Sequence, residues 1–261
     1  MIKVNAYAKL NLTLDVVGLK NGFHLLDSVV ASVLLHDIVT VEKSPDNICF
    51  MDGVPVAKDN SVYKALAALR AEFGLSGYSV DIKKSIPLSG GLGGSTADGV
   101  AAVKAVFRLE DMDESLLTPA FLLRIGSDAP CMFDVGVKRV TGTGERVARL
   151  PFKFPYKVGI ISGSGVSTAE CYRRYDAEIR YGDNATERLL KAYGSNGFNV
   201  CDYLGNDLFQ PAAEINPEII LAIVKMKELG AEGVGMSGSG SAVYGLFSGE
   251  VPDGLIKTEF I

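Results

Sequence analysis

Between Pro87 and Asp98 the chain reads PLSGGLGGSTAD, flanked by a strand-like segment on one side and a helical one on the other. Tyr78 to Lys84 alternates apolar and polar residues, the period of a half-buried strand. Beyond the loop Ala97, Val100, Ala101, Val103, Val106 and Phe107 recur at helical spacing. A strand that ends in clustered glycines and re-enters as a helix limits the chain to folds in which backbone amides and a helix's positive end converge on one point. Phosphate is the natural ligand of such a junction, and a tight structural loop is the bland alternative. No Gly-Lys-Ser/Thr follows at the Walker spacing. A phosphate would therefore rely on amides, on the hydroxyls of Ser95 or Thr96, and on a metal ion.

The N-terminus alternates almost without fault. Ile2, Val4, Ala6, Ala8, Leu10, Leu12, Leu14 and Val16 share one face; Lys3, Asn5, Tyr7, Lys9, Asn11, Thr13 and Asp15 share the other. One half-buried strand is predicted, with Lys9 and Asn11 side by side facing water or a cleft; for an isolated lysine, water is the expectation. A second strand is predicted over Asp37 to Lys43, and a helix over Ser61 to Phe73 with Ser61 as its N-cap. Thr118 and Pro119 open a helix that should stop near Gly126. Asp128, lying between Gly126 and Pro130, is well placed to cap the next helix, a sufficient structural reason for an aspartate there.

After Leu150 the segment PFKFPY, with two prolines, interrupts the pattern and divides the chain into expected units 1–152 and 153–261. A strand from Tyr156 to Ser162, a helix near Ala169 to Tyr175, a helix opened by Asn216 and Pro217, and a strand over Ala242 to Phe247 are predicted in the second. Gly233, Gly235 and Gly238 satisfy G-x-G-x-x-G, but they lie between a helix and a strand, the reverse of the dinucleotide-binding order, so a Rossmann reading is rejected. Gly238 and Gly240, in SGSGS, suit either a helix C-cap and turn or the close approach of a second segment to a phosphate.

A hydrophobic content of 48% excludes a disordered chain, and a net charge of -5 argues against non-specific nucleic-acid binding. The four cysteines show no C-x-x-C spacing and only His24 and His36 offer imidazoles, so reduced thiols and no zinc site are expected. Neither a signal peptide nor an apolar run of membrane-spanning length is present, which makes the cytoplasm the expected compartment. His24 follows a predicted Asn21-Gly22 turn and adjoins Phe23; it is a surface or core histidine, or half of a pair that reads a flat base.

Taken in order, AKLNLTLDVVGLKNGFHLLDSV (8 to 29), PLSGGLGGSTAD, IGSDAPCMF (125 to 133) and MSGSGSAVYGLF (236 to 247) resemble the GHMP small-molecule kinases over nearly the whole chain, as do VSTAECYRRYD and NDLFQPA. The A-K-x-N-L and G-F-H-x-L segments are similar to the branch that acts on diphosphocytidyl-methylerythritol. The resemblance implies an α+β, two-domain fold with a ribosomal protein S5 domain 2-like N-terminal half and a ferredoxin-like C-terminal half. It implies transfer of the γ-phosphoryl group of ATP, with Mg²⁺, to the 2-hydroxyl of that small molecule. ATP would lie on Pro87, Leu88, Ser89, Gly90, Gly91, Leu92, Gly93, Gly94, Ser95, Thr96, Ala97 and Asp98. Lys9 and Asp128 would face the accepting hydroxyl as catalytic residues. Asn11, Phe23, His24, Thr168, Gly238 and Ser239 would bind substrate, His24 at cytosine. Metal ligands are not assigned; a monomer or homodimer without nucleic-acid or membrane partners is expected.

Three positions depart from the family's loop: Ala97 replaces a customary serine, Ser95 a glycine, and Gly99 an alanine. Gly99 should weaken the helix start by up to about 1 kcal/mol. Two other readings compete. One is a GHMP kinase for homoserine, mevalonate or a sugar, which would not need Phe23 and His24 in the cleft. The other is a non-catalytic nucleotide-binding protein of the same fold.

Overall fold

The structure, a computed structural model, describes residues 1–88, 90–178 and 182–261. Strands β1 (Ile2–Asn11) and β2 (Thr13–Lys20) lead through a tight turn into β3 (Phe23–Lys43). Asn21 and Gly22 both take left-handed conformations there, φ 52° and 80°, which suit an Asn-Gly hairpin turn. There follow β4 (Ile48–Met51), β5 (Val54–Pro55), α1 (Ser61–Phe73), β6 (Tyr78–Lys83), α2 (Gly94–Leu109), α3 (Pro119–Leu122), α4 (Ala129–Met132), β7 (Val137–Gly142) and β8 (Arg146–Leu150). The remainder comprises β9 (Lys157–Ile161), α5 (Thr168–Asp176), α6 (Ala185–Ala192), β10 (Gly205–Asn206), α7 (Phe209–Ile215), α8 (Glu218–Glu228), β11 (Gly233–Met236), β12 (Val243–Phe247) and β13 (Ile256–Glu259).

β3 is the spine of the larger sheet. Its 21 residues pair antiparallel with β1 and β2 along one edge and with β6 and β7 along the other. The strand expected from Asp37 therefore begins fourteen positions earlier, at Phe23. Its first half conceals itself because Val29, Val30 and Ala31 are all buried, so no alternation marks it. The single strand expected from Ile2 to Val16 is broken at Leu12. The smaller sheet runs β11-β12-β9-β13, antiparallel throughout.

Helix α1 spans the expected residues, but its N-cap is Asn60, whose side chain accepts from the Tyr63 amide at 3.0 Å, and not Ser61. Gly74 (φ 69°) closes it, as a left-handed C-cap does. Helices α1 and α2 cover one face of the larger sheet, with Leu66, Leu69, Val103 and Phe107 against Val41, Val80 and Ile82. A second core, with Leu10, Leu12, Val29, Val158, Ile160 and Tyr244, joins the two sheets.

That second core explains the largest departure from expectation. The polar face of the first two strands is exposed at Lys3 and Asn5 but not beyond Tyr7: Lys9, Asn11, Thr13 and Asp15 are all at most 5% exposed. The second half of the chain supplies partners for Asn11, Thr13 and Asp15, whereas Lys9 pairs with Asn11 and Asp128. Asp15 accepts from the first amides of α6, Ala185 at 3.0 Å and Thr186 at 2.8 Å, a carboxylate at a helix's positive end. Thr13 and Thr186 share a hydroxyl bond of 2.6 Å, and the Tyr244 hydroxyl donates to the Asn11 carbonyl at 3.0 Å.

Gly99 reverses its expected meaning as well. A Cβ there would stand 2.6 Å from Ile125 Cγ2 and 3.0 Å from the Ser61 carbonyl oxygen, so glycine lets α2 pack closely. Gly99→Ala gains about 1 kcal/mol of helix propensity but overpacks the core at a cost of about 1–3 kcal/mol. A net loss in chemical denaturation is expected; a more stable variant would show that propensity outweighs packing. No helix among the described residues is long and apolar enough to cross a membrane.

Candidate active site

Helix α2 starts without a side-chain cap. Gly93, its N-cap, has φ 75° and offers no side chain, so the first amides of the helix are left for another acceptor. The loop before it is clamped from two sides. The Lys9 amide donates to the Leu92 carbonyl at 3.0 Å, the Ala242 amide to the Gly90 carbonyl at 3.0 Å, and the Ser237 hydroxyl to the Gly91 carbonyl at 2.9 Å. A Cβ on Gly91 would lie 2.1 Å from the Ser237 carbonyl oxygen. The SGSGS segment is thus a loop between β11 and β12 that closes on the glycine loop, and not a helix C-cap.

Pro87, Leu88 and Gly90 to Thr96 line a cavity of about 320 Å³ beside Lys84. Ser95 is exposed, and its hydroxyl lies 2.9 Å from that of Ser61. Ala97 and Asp98 do not line this cavity; their side chains are buried in the core. Ser89 lies outside the described residues. The half-buried Lys84 ammonium donates to Asp37 and, at 2.9 Å, to Asp98. Asp37 also accepts from the Ser85 amide at 2.6 Å and the Ile86 amide at 2.8 Å, which anchors the strand end that enters the loop. Burial pushes the Asp98 carboxyl up to about 7 against the pull of Lys84.

A second cavity, about 410 Å³, opens on the other side of the loop. Gly91 and Gly93 line both. Lys9, Asn11, Phe23, His24, Asp128, Thr168, Gly238 and Ser239 all line it, so residues from five separate segments meet there. Asp128 stands at the N-cap position of α4 but makes no capping bond. Its Oδ2 lies 3.5 Å from Lys9 Nζ, and its side chain is 45% exposed. The capping role expected for Asp128 is therefore not what its side chain does.

Asn11 organises this corner. Its Oδ1 accepts from Lys9 Nζ at 2.5 Å and from the Gly238 amide at 3.0 Å, while its Nδ2 donates to Ser28 Oγ at 2.9 Å. The side chain lines the cavity, yet its polar atoms hold Lys9 and the Gly238 turn. Asn206 secures the same turn by donating to the Met236 and Gly238 carbonyls, each at 2.9 Å. Thr168 and Ser239 pair through their hydroxyls at 2.8 Å.

At the far end Phe23 is 67% exposed at the rim, whereas His24 stacks on Tyr172 with ring centroids 4.3 Å apart. Tyr172 lines the cavity and was not singled out from sequence; its spacing of four from Thr168 on one helix face was the available signal. Gly144 (φ 110°) was also missed. A Cβ there would lie 2.3 Å from the Ser127 carbonyl oxygen, so the turn between β7 and β8 presses on the segment that carries Asp128.

Amides and a helix end suited to phosphate, next to a buried ammonium paired with a carboxylate, form an arrangement that can set a phosphoryl group beside a hydroxyl. The chain matches the GHMP kinases N terminal domain over residues 60–134 and the GHMP kinases C terminal domain over residues 186–258. It belongs to the GHMP kinase family of ATP-dependent phosphotransferases. Within that family it is 38% identical to 4-diphosphocytidyl-2-C-methyl-D-erythritol kinase of Carboxydothermus hydrogenoformans, over 92% of this chain and 86% of the relative. It is 35% identical to the enzyme of that name from Pelotomaculum thermopropionicum, over 94% and 89%. A crystal structure of 4-(cytidine 5'-diphospho)-2C-methyl-D-erythritol kinase superposes with a TM-score of 0.76 at 28% identity, covering 94% of this chain and 90% of that one. Mevalonate kinase of Methanococcus jannaschii shares the fold, with a TM-score of 0.70 at 12% identity and coverage of 100% and 98%.

Proposed function

We propose that this chain transfers the γ-phosphoryl group of ATP to the 2-hydroxyl of 4-diphosphocytidyl-2-C-methyl-D-erythritol, a step in isoprenoid precursor synthesis. The relatives' shared name supports the substrate. The observation that carries the chemistry is the shared wall: Gly91 and Gly93 border both the loop cavity and the cavity holding Lys9 and Asp128. A phosphate on the loop amides and a hydroxyl at Asp128 would then meet across two glycines that interpose no side chain.

In this reading the units 1–152 and 153–261 supply the two sides of the cleft. The acceptor hydroxyl gives its proton to Asp128 as the oxygen attacks, and the Lys9 ammonium favours the developing alkoxide. Asn11 holds that ammonium. The cytosine end lies toward Phe23, His24 and Tyr172, where flat rings suit a base. Mg²⁺ would be held at the loop largely by phosphate oxygens and water, as in other kinases, beside the Ser95 and Thr96 side chains that line the loop cavity. The hydroxyl of Ser95 or Thr96 would join them, and the ion would neutralise charge on the β- and γ-phosphates.

Coupled ADP release with Mg²⁺-ATP tests the reading, with diphosphocytidyl-methylerythritol, mevalonate and homoserine as parallel acceptors. Turnover only with the first is expected. Turnover only with another acceptor would remove the cytosine site and keep the kinase. ATP binding without turnover would favour a non-catalytic protein.

A further inference from the structure

The terminal residue of α5 carries a charge that helix physics does not favour. Asp176 ends the helix, where the macrodipole is negative and a carboxylate is repelled. Its side chain instead reaches the hairpin between β2 and β3, where Asp176 Oδ1 lies 2.8 Å from His24 Nε2. His24 is 16% exposed in its side chain, whereas Asp176 is 54% exposed. The ring is thus held between Tyr172, stacked at 4.3 Å, and Tyr175, edge-on at 6.2 Å, with the carboxylate fixing its rotation.

We propose that Asp176 is a positioning residue that sets the tautomer of His24 and thereby selects a pyrimidine bearing a 4-amino group; this rests on the cytidine reading of the site. An ionised carboxylate only accepts, so neutral His24 carries its proton on Nε2 and Nδ1 becomes an acceptor. Among the described residues Nδ1 has no hydrogen-bond partner, and His24 lines the cavity. Along its pairing edge cytosine offers a donor only at the 4-amino group, its N3 and O2 being acceptors. Uracil places an acceptor at position 4 and meets Nδ1 lone pair to lone pair. Without Asp176 the ring is free to move its proton to Nδ1, and the preference is lost.

Two measurements test this together. The chain has two histidines, His24 and His36, so ¹⁵N-imidazole shifts resolve both, with His36→Gln for assignment. His36 Nδ1 lies 2.6 Å from the Leu34 carbonyl oxygen, so the two rings should show opposite tautomers. Titration with cytidine 5'-diphosphate and uridine 5'-diphosphate, with ADP saturating the loop, then reads the preference directly. Asp176→Ala is expected to abolish the fixed Nε2–H form and to weaken the cytidine ligand about tenfold, while the uridine ligand changes less than about twofold. Asp176→Asn, which keeps an acceptor oxygen, should retain part of the preference, and thermal unfolding should show both variants folded. In turnover the loss should appear in KM with kcat little changed. An unchanged tautomer in Asp176→Ala, or equal weakening of both ligands, overturns the proposal. A wild-type preference that depends on Asp176 but comes without phosphoryl transfer would instead overturn the kinase reading alone.

Discussion

Asp128→Asn is expected to lower kcat by about 10²–10⁴-fold, the range for losing a positioned proton acceptor. KM for ATP should change little, because the loop cavity is lined by Lys84, Pro87, Leu88 and Gly90 to Thr96 and Asp128 is not among them. The substitution is isosteric, and the side chain caps no helix and is 45% exposed, so the fold should survive. Steady-state kinetics with the acceptor varied at saturating ATP, beside circular dichroism, checks this. A fall of less than about tenfold would mean that Asp128 orients the hydroxyl and that proton removal is not limiting.

Lys9→Met should have an effect of similar kind, a loss of about 10²–10³ in kcat, as when a preorganised charge is removed from a developing oxyanion. Methionine has similar length and no charge, and Lys9 is 5% exposed, so its stem should still pack. The backbone link from the Lys9 amide to Leu92 does not involve the side chain; nucleotide affinity, followed by calorimetry with a non-hydrolysable ATP analogue, should therefore stay within a few-fold. The Asn11 oxygen loses one partner but keeps the Gly238 amide. A folded Lys9→Met protein with near wild-type turnover would exclude Lys9 from the chemistry.

The parts of this site that announce themselves in sequence do so through backbone requirements. The clusters at 90–94 and 238–240 are glycine-rich because two loops come within contact of each other, and a Cβ on Gly91 would collide. Asn21-Gly22 likewise marks its own turn. The side-chain chemistry was less legible. Lys9 and Asn11 read as a solvated strand face because what buries them, Ser237 and Gly238, lies more than two hundred residues away. Asp128 sits where a helix cap belongs, so local pattern alone offered a sufficient wrong reason. Asp176, paired with His24 across 152 residues, had no local signature at all. Long-range burial also hid the first half of β3, whose apolar residues face core on both sides.

The most direct test of phosphoryl transfer to this acceptor is ³¹P NMR of a reaction containing the wild-type chain, Mg²⁺-ATP and diphosphocytidyl-methylerythritol. A new phosphomonoester resonance on the acceptor, growing in step with ADP and at least about 10²-fold more slowly with Asp128→Asn, is the expected result. Inorganic phosphate accumulating beside an unchanged acceptor would contradict it.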